Sequence, residues 1–208
     1  MKKGLLIFGA KSTAIEIKET AQLDYVFDKI FFVDKDGETT DDFIINERQL
    51  NNLNSSIYWS FIVAISNDSI RERIIKTAEK YNFIATSIIS KQAYISKSAK
   101  IGSGIYIAPN VSVSSNVVIN DHCIINYNST VGHDSTINEN VIINPGARIS
   151  GNCKIEENVL IGANSFIYQG MKVEKNTKID AMTHIYKDIE ADMICTSRNI
   201  KVFKQRRK

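Results

Sequence analysis

Several things are scarce in this chain, and each scarcity excludes something. Only two of its 208 residues are proline, Pro109 and Pro145, which excludes a long proline-rich linker. The three cysteines, Cys123, Cys153 and Cys195, are odd in number and irregularly spaced. That argues against a disulfide framework and fits a reducing cytoplasm. The apolar run at residues 4–9 is far too short to span a bilayer, and no secretory signal is recognisable. An excess of one charge is also missing: a net charge of +3 is too weak to point to a nucleic-acid partner. The basic segment 201–208 reads as a solvated, frayed end. What is present is 43% apolar residues, enough for a real core, and length for one large domain or two small ones.

The dominant feature is an internal period of six. Every sixth residue from Ile95 to Ile179 is Ile or Val, fifteen positions without exception. A helix has no six-residue period and a flat strand repeats every two. Two residues before each of these, the side chain is small or apolar, as at Ala93, Ala99, Val111, Cys123, Ala147 and Cys153. Two inward positions flanking one outward position make a short strand. Three residues after each Ile or Val, from residue 104 to 176, stands Gly, Asn, Asp or His, the types that tolerate positive φ. Each hexad is therefore a strand followed by a tight corner. Three hexads close an eighteen-residue triangular coil, and coils stack at the inter-strand spacing of ~4.8 Å. Cys123 and Cys153, at inward positions, read as core fillers. This pattern resembles the left-handed parallel β-helix of the hexapeptide-repeat acyltransferases. The left hand comes from that resemblance, since the general crossover rule favours the right.

Residues 1–88 lack the hexad. They alternate expected strands at 4–8, 29–33 and 60–65 with expected helices at 12–23 and 68–81, and end in an apolar run at 83–89. Such alternation implies a small parallel, Rossmann-like α/β sheet, whose ligands bind beyond the carboxyl ends of the strands. Three loops sit there: Gly9-Ala10-Lys11-Ser12-Thr13, Asp34-Lys35-Asp36 and Ser66-Asn67-Asp68. The first offers backbone N–H groups at a helix N-terminus, suited to a phosphate. Asp34 is placed to accept hydrogen bonds from a ribose or a base. The loop has one glycine rather than the dinucleotide fingerprint, so a plain turn with a solvated acid remains the alternative.

The two parts together, an α/β domain at 1–88 and a β-helix of about five coils with its tail at 89–208, resemble one family. It contains the bacillosamine and perosamine N-acetyltransferases and the sialic-acid O-acetyltransferases. The resemblance implies an acetyl-CoA-dependent enzyme without metal, acting on a nucleotide-linked amino sugar for surface glycan biosynthesis. It also implies a homotrimer with active sites between subunits. The first domain would hold the nucleotide through Gly9, Ala10, Lys11, Ser12, Thr13, Asp34, Lys35 and Asn67. Lys11-Ser12-Thr13 stands where the family has a Ser-Gly-His-like stretch, and Asp34-Lys35 where it has paired acids.

Acetyl transfer needs a base, a group that orients it and an oxyanion donor. The chain has three histidines, His122, His133 and His184. His133 is the only one in its outer-corner phase. By spacing alone it could be an exposed corner histidine beside an aspartate that merely serves the turn. Val131-Gly132-His133-Asp134-Ser135 matches the family motif in which the histidine is the general base and the next acid orients it. One coil later, at 133 + 18, lies Gly151, whose N–H could polarise a thioester carbonyl. The resemblance adds Asn126 as a substrate contact and Gly162, Ala163 and Ala181 as lining for the CoA arm, with Ile142 where a second histidine often contacts CoA. His122 reads as a turn residue and His184 as a surface or cap residue. Rival readings are a sugar O-acetyltransferase, a non-catalytic nucleotide-sugar binder, and a γ-carbonic-anhydrase-like metalloenzyme. The last needs three histidines on zinc, which this spacing does not supply.

Overall fold

The computed structural model describes residues 2–35 and 44–197; Asp36 and the basic segment 201–208 fall outside the described residues. The first region is an all-parallel five-stranded sheet in the order β3-β2-β1-β4-β5. Its strands are β1 (Lys2–Phe8), β2 (Lys29–Asp34), β3 (Ile44–Asn46), β4 (Ile57–Val63) and β5 (Ile84–Ala85), with α1 (Ser12–Asp24) after β1 and α2 (Asp68–Lys80) after β4. The continuous apolar runs of β1 and β4 belong in a sheet covered on both faces. Leu5, Leu6, Ile7, Phe61, Ile62 and Val63 are at most 1% exposed.

Two local expectations move. The strand expected at 60–65 is Ile57–Val63, because β4 pairs residue for residue with β1, from Lys2↔Ile57 to Phe8↔Val63. Ala64 and Ile65 are thereby released into the loop beyond the strand. The apolar run 83–89 serves two sheets. Ile84–Ala85 pairs with Ser60 and Phe61, whereas β6 (Ile88–Ile89) pairs with Tyr106–Ile107 as the first rung of the second region.

That region is a left-handed parallel β-helix with three faces. Successive rungs are eighteen residues apart, as in Ile107↔Ile125↔Ile143↔Ile161↔Ile179. The coil outruns the fifteen hexads at both ends: Ile89 and Ile185 continue the phase, and the last rung closes at sixteen residues with Ile179↔Cys195. From Ile107 to Ile179 the inward Ile and Val positions are no more than 2% exposed. Each such burial contributes about 1.5–3 kcal/mol. The corners adopt φ between 54° and 61° at Asn110, Asn116, His122, Asn128, Asp134, Asn140, Asn152, Asn158, Asn164, Asn176 and Met182. Met182 is the exception in type, since its side chain offers no local hydrogen bond to ease that conformation.

The two regions share an apolar core and several hydrogen bonds, such as Thr20–Tyr106 and Tyr25–Ile89, and one deeply buried side chain joins them further. Arg71, on the buried stripe of α2, is 1% exposed. Its guanidinium donates to the Val63 and Ile65 carbonyls at 3.1 and 2.8 Å, and across the junction to the His122 carbonyl and the Asn140 side-chain oxygen. Among the described residues no carboxylate pairs with it, and burial pulls its pKa down to about 10. Replacing Arg71 by alanine should leave a cavity and strand these acceptors, lowering unfolding free energy by about 3–5 kcal/mol in urea denaturation. A loss below about 1 kcal/mol would contradict this role. Cys123 and Cys153 are 0% and 2% exposed, and burial raises both thiol pKa values, that of Cys123 to about 12. Neither should react with a thiol reagent until the protein is denatured.

Candidate active site

The corner after the strand Thr130–Val131 is pinned from both sides. The Asp134 N–H donates to the Ser115 carbonyl at 2.9 Å, and the His133 carbonyl accepts from the Asn152 N–H at 2.8 Å. With its backbone held in the coil, the His133 imidazole projects outward, its side chain 50% exposed. Asp134 takes the left-handed conformation, φ 58°, which turns its carboxylate back to the ring. His133 Nδ1 and Asp134 Oδ2 are 2.8 Å apart, and the Asn116 side-chain amide donates to Asp134 Oδ1 at 2.9 Å. The Asn116 bond first, and the His133 bond second, hold the Asp134 carboxyl below the usual carboxylate pKa. An ionised Asp134 accepts Nδ1–H and leaves Nε2 as the basic nitrogen.

Nε2 lies over Gly151. A Cβ built on that glycine would come within 2.5 Å of Nε2, so with the ring in this position only hydrogen fits there. Among the described residues, the Gly151 N–H donates to no backbone or side-chain acceptor. A basic ring nitrogen and an unpaired backbone donor therefore share one vertex, which is the geometry that base-assisted attack on a carbonyl requires. A groove of about 250 Å³ runs beside it, with Tyr94, Ser112, Thr130 and Gly132 in its walls.

The first region carries a cavity of about 370 Å³ beyond the carboxyl ends of β1, β2 and β4. Gly9, Ala10, Lys11, Ser12, Thr13 and Asp34 all line it, together with Ala64, Ile65 and Ser66. Gly9 has φ +114°, and a Cβ there would press on Ile65 and the Ala64 carbonyl. The α1 N-cap residue, Lys11, makes no side-chain cap, so first-turn N–H groups stay available to an anion. Lys35 and Asn67 are not among the lining residues. The Lys35 carbonyl accepts from Asn46, and the Asn67 side chain caps α2 by accepting from the Ile70 N–H at 3.1 Å.

The remaining candidates lie one edge away from His133, on the face built from Ile124–Ile125, Ile142–Ile143 and Leu160–Ile161 and the corner that follows it. Asn126 is 7% exposed and donates to the Ile143 carbonyl at 3.1 Å; Ile142 is 5% exposed. Gly162 backs onto the Ala181 amide, and the Ala163 carbonyl accepts from the Met182 N–H. His122 is a corner residue, φ 61°, stacked on Phe61 at 6.0 Å. Burial first, and Arg71 second, lower its pKa. His184 stands exposed on a strand that continues the coil, edge-on to Phe166. Among the described residues, no group of three His, Cys, Asp or Glu side chains is placed to hold a metal ion, and no helix is long and apolar enough to cross a membrane.

Sequence reasoning missed Asn116 and the cavity walls Ala64 and Ile65. Subtracting one coil from Asp134 would have reached Asn116, and matching β4 to β1 in length would have ended the strand at Val63.

Residues 87–133 and 134–169 match the family model for the bacterial transferase hexapeptide (six repeats). No curated protein matches the sequence. Among solved structures, the chain is similar to the acetyltransferase domain of PglB from Neisseria gonorrhoeae FA1090 in complex with acetyl coenzyme A. They share 29% identity with a TM-score of 0.85, over 93% of this chain and 96% of that one. Two further structures share the fold. WeeI from Acinetobacter baumannii AYE is 22% identical, TM-score 0.86, over 93% and 96% of the chains. A mutant perosamine N-acetyltransferase from Caulobacter crescentus, in complex with CoA and GDP-perosamine, is 19% identical, TM-score 0.86, over 97% of both.

Gly151 is outside the positive-φ set, so Gly151→Ala should keep the coil and push the imidazole aside. A crystal structure of that variant should show the Nδ1–Oδ2 contact broken; an unmoved ring would contradict the close approach described here.

Proposed function

We propose that this chain, built on hexapeptide repeats, is an acyltransferase with a specific reaction: transfer of acetyl from acetyl-CoA to the amino group of a nucleotide-linked amino sugar, in the cytoplasm. The observation that carries this reading is the His133–Asp134 pair with Nε2 set over Gly151. The sugar amine attacks the thioester carbonyl carbon while His133 Nε2 takes its proton. The Gly151 N–H stabilises the oxyanion, the C–S bond breaks, and the imidazolium returns the proton to the departing thiolate. Asp134 holds the tautomer throughout.

The acceptor is held by its nucleotide in the cavity at Gly9–Thr13 and Asp34, the helix N-terminus receiving phosphate. Asn126 serves as a further substrate contact. Ile142, Gly162, Ala163 and Ala181 line the acetyl-CoA arm, and a homotrimer explains why they sit one edge away from His133 within a chain. In a threefold assembly, one subunit's vertex can face a neighbour's edge.

The PglB domain similar to this chain was solved with acetyl coenzyme A, and its fold relative from Caulobacter with GDP-perosamine; both support the substrate classes. Thiol release from acetyl-CoA with a panel of UDP-, dTDP- and GDP-linked amino sugars tests the proposal. At least one acceptor should turn over, and His133→Ala should lower kcat by ~10²–10⁴. Silence with all acceptors, or near-full turnover by His133→Ala, would overturn it.

A further inference from the structure

Stacked hydrogen bonds between equivalent corners recur along the coil, some ending on an amide and others on a carboxylate, as at Glu156 and Asp192. Asn120 donates to Asn138, and Asn140 to Asn158. One such column runs through residues 98, 116 and 134. The Ser98 hydroxyl accepts from the Asn116 N–H at 3.0 Å, and the Asn116 amide donates to a carboxylate, Asp134, at 2.9 Å. That carboxylate is the one bonded to His133. Its two oxygens are divided between the partners, Oδ1 to Asn116 and Oδ2 to His133.

This division has a mechanical consequence. The Asp134 side chain is 46% exposed, so a single bond to the equally exposed imidazole would compete with water, and the carboxylate could rotate away from the ring. A second anchor, one coil down and set on a corner held by the backbone ladder, removes that rotation. The fixed carboxylate then holds the proton on Nδ1 and keeps Nε2 directed over Gly151.

We propose that Asn116 is a positioning residue for the His133–Asp134 pair, acting through the carboxylate and touching neither substrate. This rests on the acetyl-transfer reading for its kinetic consequence, but its structural core can be read in the resting protein.

Asn116→Gly is the test variant, because glycine accepts the φ of 57° at this corner and deletes only the amide. Asn176→Gly is the control, a corner of the same conformation, φ 57°, on a different column and outside the proposed site. Two readouts are needed. Nitrogen-15 NMR of the resting full-length protein should show His133 mainly as the Nδ1–H tautomer in the parent and in Asn176→Gly, and as a tautomer mixture in Asn116→Gly. Steady-state kinetics should show kcat lowered about tenfold in Asn116→Gly, in line with outer-shell partners of catalytic groups. KM for both substrates should stay unchanged, and the melting temperature should match that of the control. An unchanged tautomer, or a kcat equal to that of the control, overturns the proposal. A protein releasing no thiol with any acceptor would overturn the acetyl-transfer reading instead, and the tautomer would still decide the role of Asn116.

Discussion

The backbone ladder that stacks each coil on the one eighteen residues before it governs everything else in this molecule. It fixes position along the axis to one strand spacing and position around the axis to one of three corners. The apolar interior supplies the free energy, and the left-handed corners supply the turn. The ladder alone decides which residues become neighbours. His133 meets Gly151, and Asp134 meets Asn116, for no reason other than the coil length. A site assembled this way needs few dedicated supports, because each corner is already held by hydrogen bonds from the corners above and below.

The second constraint is how the α/β region is held against the coil. Arg71 lies at the junction, alongside the Thr20–Tyr106 and Tyr25–Ile89 bonds, and beyond it the Asn140, Asn158 and Asn176 amides run head to tail along one vertex. Asn140 donates to Asn158 at 2.6 Å, Asn158 to Asn176 at 3.2 Å, and Asn176 to Asp192 at 2.9 Å. The row begins at a buried guanidinium and ends at a carboxylate, so each amide dipole is aligned with its neighbours and polarised by them. The same guanidinium binds the Val63 and Ile65 carbonyls, on the segment that walls the cavity at Gly9–Thr13. The cavity and the His133 vertex thus share one hydrogen-bonded frame.

The coil could be read from sequence because its period is exclusive to it: no other regular structure places Ile or Val at every sixth position. The corners were readable for the same reason, down to Asp134 and His122 in the left-handed conformation. Phase continuing through Ile89 and Ile185 would have extended the coil further, but residues 83–89 also look like a buried strand, and they supply one to each sheet. The short edge strand Ile44–Asn46 carries too few residues to show a pattern. Arg71 in a charged amphipathic helix reads as solvated, although positions 71, 74 and 78 share one buried stripe. Only docking of the two regions shows that this cation is interior. The first loop was legible as a place, since Gly9 through Thr13 do line a cavity, whereas Lys35 and Asn67 are turned to local structural work.

A polar pair at an exposed corner is ordinary on a protein surface. What distinguishes His133 is the combination of an anchored carboxylate behind the ring and a glycine N–H in front of it. The most direct test is a crystal structure of the protein with acetyl-CoA. The thioester carbonyl oxygen should lie within about 3 Å of the Gly151 nitrogen, with its carbon beside His133 Nε2. A thioester bound with its carbonyl away from both would contradict the catalytic vertex.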